Sequence, residues 1–196
     1  MAIFRGVTPD EILPIAESLY NIGWRTLEVP LNSPEPYKSL SLLVKHFGAD
    51  CTIGAGTVLT TEQVKQVADT GASLIVSPCT NADVIRATKQ LGLFMMAGVL
   101  TPTECFNALG YGADSLKIFP SESIQPSYIK ALRAVLPKES VLYLTGGIKP
   151  DNMQDFITAG ANGFGIGGAL YQIGKSIEQI TRDGRIFMEH FNKCGL

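Results

Sequence analysis

Basic charge is in slight deficit in this chain: 16 Lys and Arg against 18 Asp and Glu leave a formal charge of −2. Polyanion and acidic-membrane partners need a basic excess, so neither nucleic acid nor a membrane surface is an expected partner. Cysteine is sparse too. Cys51, Cys79, Cys105 and Cys194 form no Cys-x-x-Cys pair, and the two histidines, His46 and His190, stand at no metal-ligand spacing to them. That pattern argues against structural zinc and against a disulfide framework, with a reducing cytoplasm as the default location. Long apolar runs are also lacking: Gly, Pro or charge cuts each one before the roughly 18 residues that a membrane span needs.

What is present is a core-forming composition. Hydrophobic residues make up 45% of the chain and charged residues 17%, which supports a large buried core under a thin polar shell. At 196 residues one domain is expected. A (β/α)8 barrel fits that length only if its connections are lean, since typical ones run to about 250 residues.

The apolar pattern alternates in kind. Short β-branched or apolar runs begin near Ala2, Arg25, Cys51, Ser73, Leu93, Asp114, Val141 and Gly163, and segments with helical spacing lie between them. Eight strand-helix units of about 20 to 27 residues imply a parallel sheet. Helix starts are marked by capping side chains, early Pro and early acids at Thr8-Pro9-Asp10-Glu11, Ser33-Pro34, Thr60-Thr61-Glu62, Thr101-Pro102-Thr103-Glu104 and Lys149-Pro150-Asp151-Asn152. Helix ends are marked by Gly23, Gly71, Gly92, Gly112 and Gly160. This regularity predicts a compact (β/α)8 TIM barrel as a single domain over residues 1–196, with a doubly wound open sheet as the alternative.

In such a barrel the functional groups stand at the carboxyl ends of the strands. In chain order those positions hold Arg5, Glu28, Gly54 to Thr57, Ser77-Pro78, Gly98, Lys117, Gly146-Gly147 and Gly167-Gly168. Period-two alternation sends Leu116 and Ile118 toward the helices and Ser115, Lys117 and Phe119 into the barrel. Desolvation there disfavours the charged form of Lys117, leaving a nucleophilic amine. A lysine that only pairs with a buried carboxylate is the alternative. Glu28 shares its face with Thr26 and Trp24, which brings a carboxylate to the same interior as a candidate general base or, alternatively, a structural acid. Gly146-Gly147 and Gly167-Gly168 each follow a strand and are expected to precede a helix, so backbone N–H groups can converge on an anion without a basic side chain. The bland reading is tight turns alone. Arg5 and Thr57 could hold a carboxylate, or Arg5 could be a salt-bridge partner. The histidines and cysteines read as uninvolved.

Six motifs occur together and in order: Phe4-Arg5-Gly6-Val7-Thr8-Pro9, Leu27-Glu28-Val29-Pro30-Leu31-Asn32-Ser33-Pro34, Ile53-Gly54-Ala55-Gly56-Thr57-Val58, Ile75-Val76-Ser77-Pro78, Leu116-Lys117-Ile118-Phe119-Pro120 and Thr145-Gly146-Gly147-Ile148. Over nearly the whole chain this resembles the class I aldolases acting on 2-keto-3-deoxy-6-phosphogluconate (KDPG) and 2-keto-3-deoxy-6-phosphogalactonate (KDPGal). The resemblance implies that Lys117 forms an imine with the C2 ketone and that Glu28 moves the protons. It implies that Arg5, Thr57, Pro78, Phe119 and Thr145 contact substrate, and that Gly146, Gly147, Gly167 and Gly168 cradle a phosphate. It also implies pyruvate and D-glyceraldehyde 3-phosphate as products, no metal or organic cofactor, a phosphorylated keto sugar acid as the small-molecule partner, and a homotrimer.

Several positions depart from the family pattern. Asn32 stands where gluconate-preferring members often carry arginine, whereas Thr145 is the residue of the gluconate type. Gly168 replaces a common serine. The chain starts almost inside its first strand, which predicts a thinly covered lower end of the barrel. The competing expectations are the same chemistry on 4-hydroxy-2-oxoglutarate, a phosphate-binding barrel isomerase or synthase, and a noncatalytic sugar-phosphate binder.

Overall fold

The computed structural model describes residues 1–195; Leu196, the last position of the expected barrel, lies outside them. Eight strands run in order around one sheet: β1 (Ala2–Ile3), β2 (Thr26–Pro30), β3 (Thr52–Gly56), β4 (Leu74–Val76), β5 (Phe94–Val99), β6 (Ser115–Ile118), β7 (Leu142–Thr145) and β8 (Gly163–Gly165). Every neighbouring pair is parallel. The ring is closed by a parallel bridge from Ala2 to Ile166, where Ile3 N–H donates to the Ile166 carbonyl at 2.9 Å. Each strand starts within one residue of its expected position.

Helices α1 (Pro9–Tyr20), α2 (Pro36–Phe47), α3 (Thr61–Asp69), α4 (Ala82–Gln90), α5 (Pro102–Gly110), α6 (Pro126–Arg133), α7 (Met153–Ala159) and α8 (Ile177–Lys193) cover the outside. Thr8, Thr60 and Thr101 cap their helices, each within a capping box closed by Glu11, Gln63 or Glu104. The expected start at Ser33-Pro34 is corrected: α2 begins at Pro36. Ser33 is engaged elsewhere, its Oγ accepting from Gly6 N–H at 2.9 Å, so it ties the β2 exit to the β1 exit instead of capping a helix. Pro150–Asn152 forms one 3-10 turn before α7. The helix expected directly after Gly167-Gly168 is also corrected. Only a single turn forms, with Gly167 O accepting from Leu170 and Tyr171 N–H, and α8 starts nine residues later at Ile177.

The alternation along the strands produces two separate apolar regions. Leu27, Val29, Ile75, Leu116, Ile118, Leu142 and Leu144 face outward into the main sheet-helix core and are fully buried. Burying each such side chain contributes roughly 1.5–3 kcal/mol relative to leaving it exposed. Inside the ring, Leu74, Val76 and Met96 form a second, smaller cluster with Met1 and Tyr143. Trp24 joins neither the strand nor this inner cluster. Strand β2 begins two residues after it, and its Nε1 donates to the Gly184 carbonyl of α8 at 3.2 Å, which corrects the expectation that it shares a face with Glu28.

Glycine makes the interior wide enough for long polar side chains. Gly54, Gly56, Gly98, Gly163 and Gly165 all lie on inward positions, and a Cβ on any of them would collide with a neighbour. At Gly56 the collision would be with Glu28 Oε1, and at Gly163 with the Tyr143 ring at 2.6 Å. Met95 and Ala97, on the outward positions of β5, are by contrast fully buried core residues.

Candidate active site

Register places the candidate reactive groups. Gly98, Lys117, Tyr143 and Gly163 are successive pairing partners across β5 to β8, so Lys117 shares the inner face with two glycines. Ile3, Glu28, Gly54 and Leu74 are likewise successive partners across β1 to β4. The lysine is 4% exposed and the glutamate 1% exposed. The amine accordingly points into the barrel, with its Nζ 5.0 Å from the centre of the Phe119 ring.

Burial pushes the Lys117 ammonium below its ordinary range; the Glu28 charge opposes that shift, and the Arg5 guanidinium adds to it. Burial pushes the Glu28 carboxyl up, with Lys117 and Arg5 pulling it back. Both directions follow from desolvating a charge in a low-dielectric interior. Glu28 Oε2 is buried without a hydrogen-bond partner, and among the described residues neither side chain is in an ion pair. A buried lysine held only by an ordinary salt bridge would look different: its ammonium would be satisfied and its pKa raised. What stands here is an amine and a carboxylate, both desolvated, each responding to the other.

The cavity at the carboxyl end of the barrel has a volume of ≈ 710 Å³. Arg5, Phe119, Thr145, Gly146, Gly147, Gly167 and Gly168 line it, so it collects seven of the expected site residues. Lys117 and Glu28 lie outside its lining, but the Lys117 Nζ is 5.0 Å from the ring centre of Phe119, which lines it. Thr57 is joined to the cavity through Arg5, whose Nη1 donates to Asn32 Oδ1 at 2.8 Å and to Thr57 Oγ1 at 3.5 Å. Thr57 also has a φ of 57°, a left-handed conformation unusual for a β-branched residue and often found at functional positions. Pro78 does not reach the cavity; it is half-buried, with its carbonyl against Gly98.

Gly146 and Gly147 have φ values of 98° and 67°, which other residues rarely adopt. The backbone N–H groups of Gly147, Ile148, Gly168 and Ala169 donate to nothing among the described residues, which leaves them free for an acceptor in the cavity. Thr145 Oγ1 is similarly buried and unpartnered. No group of three or more His, Cys, Asp or Glu among the described residues is arranged to hold a metal ion.

Sequence reasoning missed four contributors. Ser121, 2% exposed, donates from Oγ to the Ile118 carbonyl at 2.7 Å and accepts from Thr145 N–H at 3.1 Å, bridging the strand of Lys117 to that of Thr145. Glu122 lines the cavity beside Gly146-Gly147, and Gln172 and Ile173 line it as well. Strand alternation ends at Pro120, so it says nothing about Ser121 or Glu122. The 167–173 segment has no periodicity to read.

The model of the KDPG and KHG aldolases matches residues 1–183. The 2-dehydro-3-deoxy-6-phosphogalactonate aldolase of Escherichia coli K12 is 42% identical over 194 residues, covering 99% of this chain and 95% of the relative. A solved structure named as native KDPGal superposes with a TM-score of 0.97 at 41% identity, covering 98% of this chain and 94% of the other. The KDPG aldolase of Legionella pneumophila, solved with pyruvate captured as a covalent carbinolamine intermediate, has a TM-score of 0.81 at 28% identity, over 96% and 91% of the two chains. With a closed eight-stranded barrel and this similarity along nearly its full length, the chain belongs to the KDPG and KHG aldolase family.

Proposed function

We propose that this protein is a Schiff-base aldolase that cleaves 2-keto-3-deoxy-6-phosphogalactonate, and the gluconate isomer with it, to pyruvate and D-glyceraldehyde 3-phosphate. The observation that carries the reading is the Lys117 amine, buried inside the barrel with its pKa lowered by desolvation and with an unpartnered carboxylate oxygen of Glu28 in the same interior. The carbinolamine captured in the Legionella relative shows that pyruvate is held covalently there.

The chemistry then runs on this chain's own groups. Neutral Nζ of Lys117 adds to the C2 ketone and, with loss of water, forms an imine. Glu28 takes the proton of the C4 hydroxyl, the C3–C4 bond breaks, and its electron pair moves into the imine to give an enamine. Glyceraldehyde 3-phosphate leaves, C3 is reprotonated with Glu28 as the proton source, and hydrolysis releases pyruvate. Arg5 and Thr57 hold the carboxylate end, with Phe119 and Thr145 walling the reacting carbons. Gly146, Gly147, Gly167 and Gly168 present backbone N–H groups to the phosphate. Asn32, which holds Arg5 at 2.8 Å, matches the galactonate type and Thr145 the gluconate type; the 42% identity to a 2-dehydro-3-deoxy-6-phosphogalactonate aldolase supports the galactonate isomer as first substrate. The further reading is one barrel domain over 1–196, acting in the cytoplasm as a homotrimer without metal or organic cofactor. No helix among the described residues is long and apolar enough to cross a membrane.

Borohydride reduction in the presence of pyruvate, followed by peptide mass mapping, tests the central step. The peptide containing Lys117 gains a pyruvyl-derived mass, and Lys117→Ala loses both the adduct and turnover. Cleavage that survives in that variant refutes the covalent role.

A further inference from the structure

The cavity wall holds a charge of the wrong sign for a simple phosphate site. Among the lining residues only Arg5 and Glu122 are formally charged. The arginine is at the Asn32 and Thr57 side, engaged by both. At the glycine end stands Glu122 alone, with no lysine or arginine in the lining to offset it.

The position of Glu122 is fixed by the backbone around it. Ser121, immediately before it, is held by hydrogen bonds to Ile118 O and from Thr145 N–H. The Cα and Cβ of Glu122 are packed so closely on Gly147 that a Cβ there would come within 2.7 Å of each. Its Oε2 stands against Gly146, where a Cβ would overlap it. The carboxylate makes no hydrogen bond or ion pair among the described residues. It borders Gly146 and Gly147, at the end of the cavity where the Gly147 and Ile148 N–H groups are free.

We propose that Glu122 is a specificity-determining residue: it weakens the grip of the cavity on a phosphate dianion and accepts a hydrogen bond from a terminal hydroxyl, which opens the same site to unphosphorylated 2-keto-3-deoxy sugar acids. The inference rests on the aldolase reading above. Its chemistry is a matter of donors. A phosphate dianion offers only acceptors and negative charge to a carboxylate, whereas a hydroxyl offers a proton. The backbone N–H groups attract both, so the balance between the two substrate classes is set by the one side chain that distinguishes them. Unit charges about 5 Å apart repel measurably even in bulk water, and a dianion doubles the effect, which sets the discrimination at about tenfold.

The test is aldol addition of pyruvate to D-glyceraldehyde 3-phosphate and to D-glyceraldehyde by wild type, Glu122→Gln and Glu122→Asp, with inorganic phosphate as a competing anion. In Glu122→Gln the ratio of kcat/KM for the phosphorylated over the unphosphorylated acceptor rises about tenfold, through KM more than kcat, and inorganic phosphate inhibits at several-fold lower concentration. Glu122→Asp stays near the wild-type ratio. Borohydride trapping of pyruvate at the wild-type rate certifies that each variant is folded around Lys117. A trapped adduct with an unchanged or reduced ratio in Glu122→Gln overturns the role of Glu122 while leaving the aldolase reading in place. Absence of both adduct and condensation in the wild type overturns the aldolase reading itself.

Discussion

Lys117 and Glu28 are useful to each other because neither is comfortable. The buried amine loses its proton more readily than an exposed lysine, and the glutamate charge partly restores it. Replacing Glu28 by Gln removes that restoring charge, so the pKa of Lys117 falls further and more neutral amine is present at any given pH. The pH midpoint of pyruvate trapping by borohydride therefore moves to the acid side in Glu28→Gln, while the overall cleavage rate drops because the variant lacks the proposed proton carrier. A trapping midpoint that stays put or moves to higher pH contradicts the coupling. The inward placement of both residues was legible in the sequence through alternation alone, since Leu116 and Ile118 had to face the helices and left Lys117 no other side. Glu122 was not legible. It lies four residues beyond the end of β6, past Pro120, and its relation to Gly146-Gly147 exists only after β6 and β7 have been laid side by side.

Strand β3 supplies space more than side chains. Its residues Gly54 and Gly56 leave inward positions empty, and Glu28 Oε1 fills the volume that a methyl group on Gly56 would take. Gly56→Ala is expected to retain the fold and the pyruvate adduct while lowering the cleavage rate about 100-fold, because a displaced base of even 1 Å carries a penalty of that order. Steady-state kinetics alongside trapping separates the two effects; an unimpaired kcat would show that the carboxylate does not depend on this hollow. The Gly54 to Thr57 motif was visible early, but its meaning was not, since a glycine that permits a turn and one that clears room for a neighbour look alike in sequence. Helix starts were readable where a threonine caps its own helix, as at Thr8, Thr60 and Thr101. Ser33 has the same chemistry and bonds instead to Gly6, so the competing tertiary partner decided its role.

For the molecule as a whole, eight strand-helix units of similar length were enough to indicate a barrel, because parallel strands joined this briefly have few other ways to bury both faces. The wall formed by Gln172 and Ile173 escaped that reasoning because it belongs to a connecting segment between β8 and α8 rather than to the repeat. The assembly proposed from the family resemblance has a direct readout. Sedimentation equilibrium is expected to return three times the 21.1 kDa chain mass, and a mass of one or two chains rejects the trimer.

The two apolar regions of the barrel divide its duties. The rim, where sheet meets helices, accounts for most of the buried hydrocarbon; the hub, with Leu74, Val76 and Met96, accounts for little. New reactions can thus be written at the hub by exchanging a handful of inward side chains, while the rim goes on keeping the wheel round.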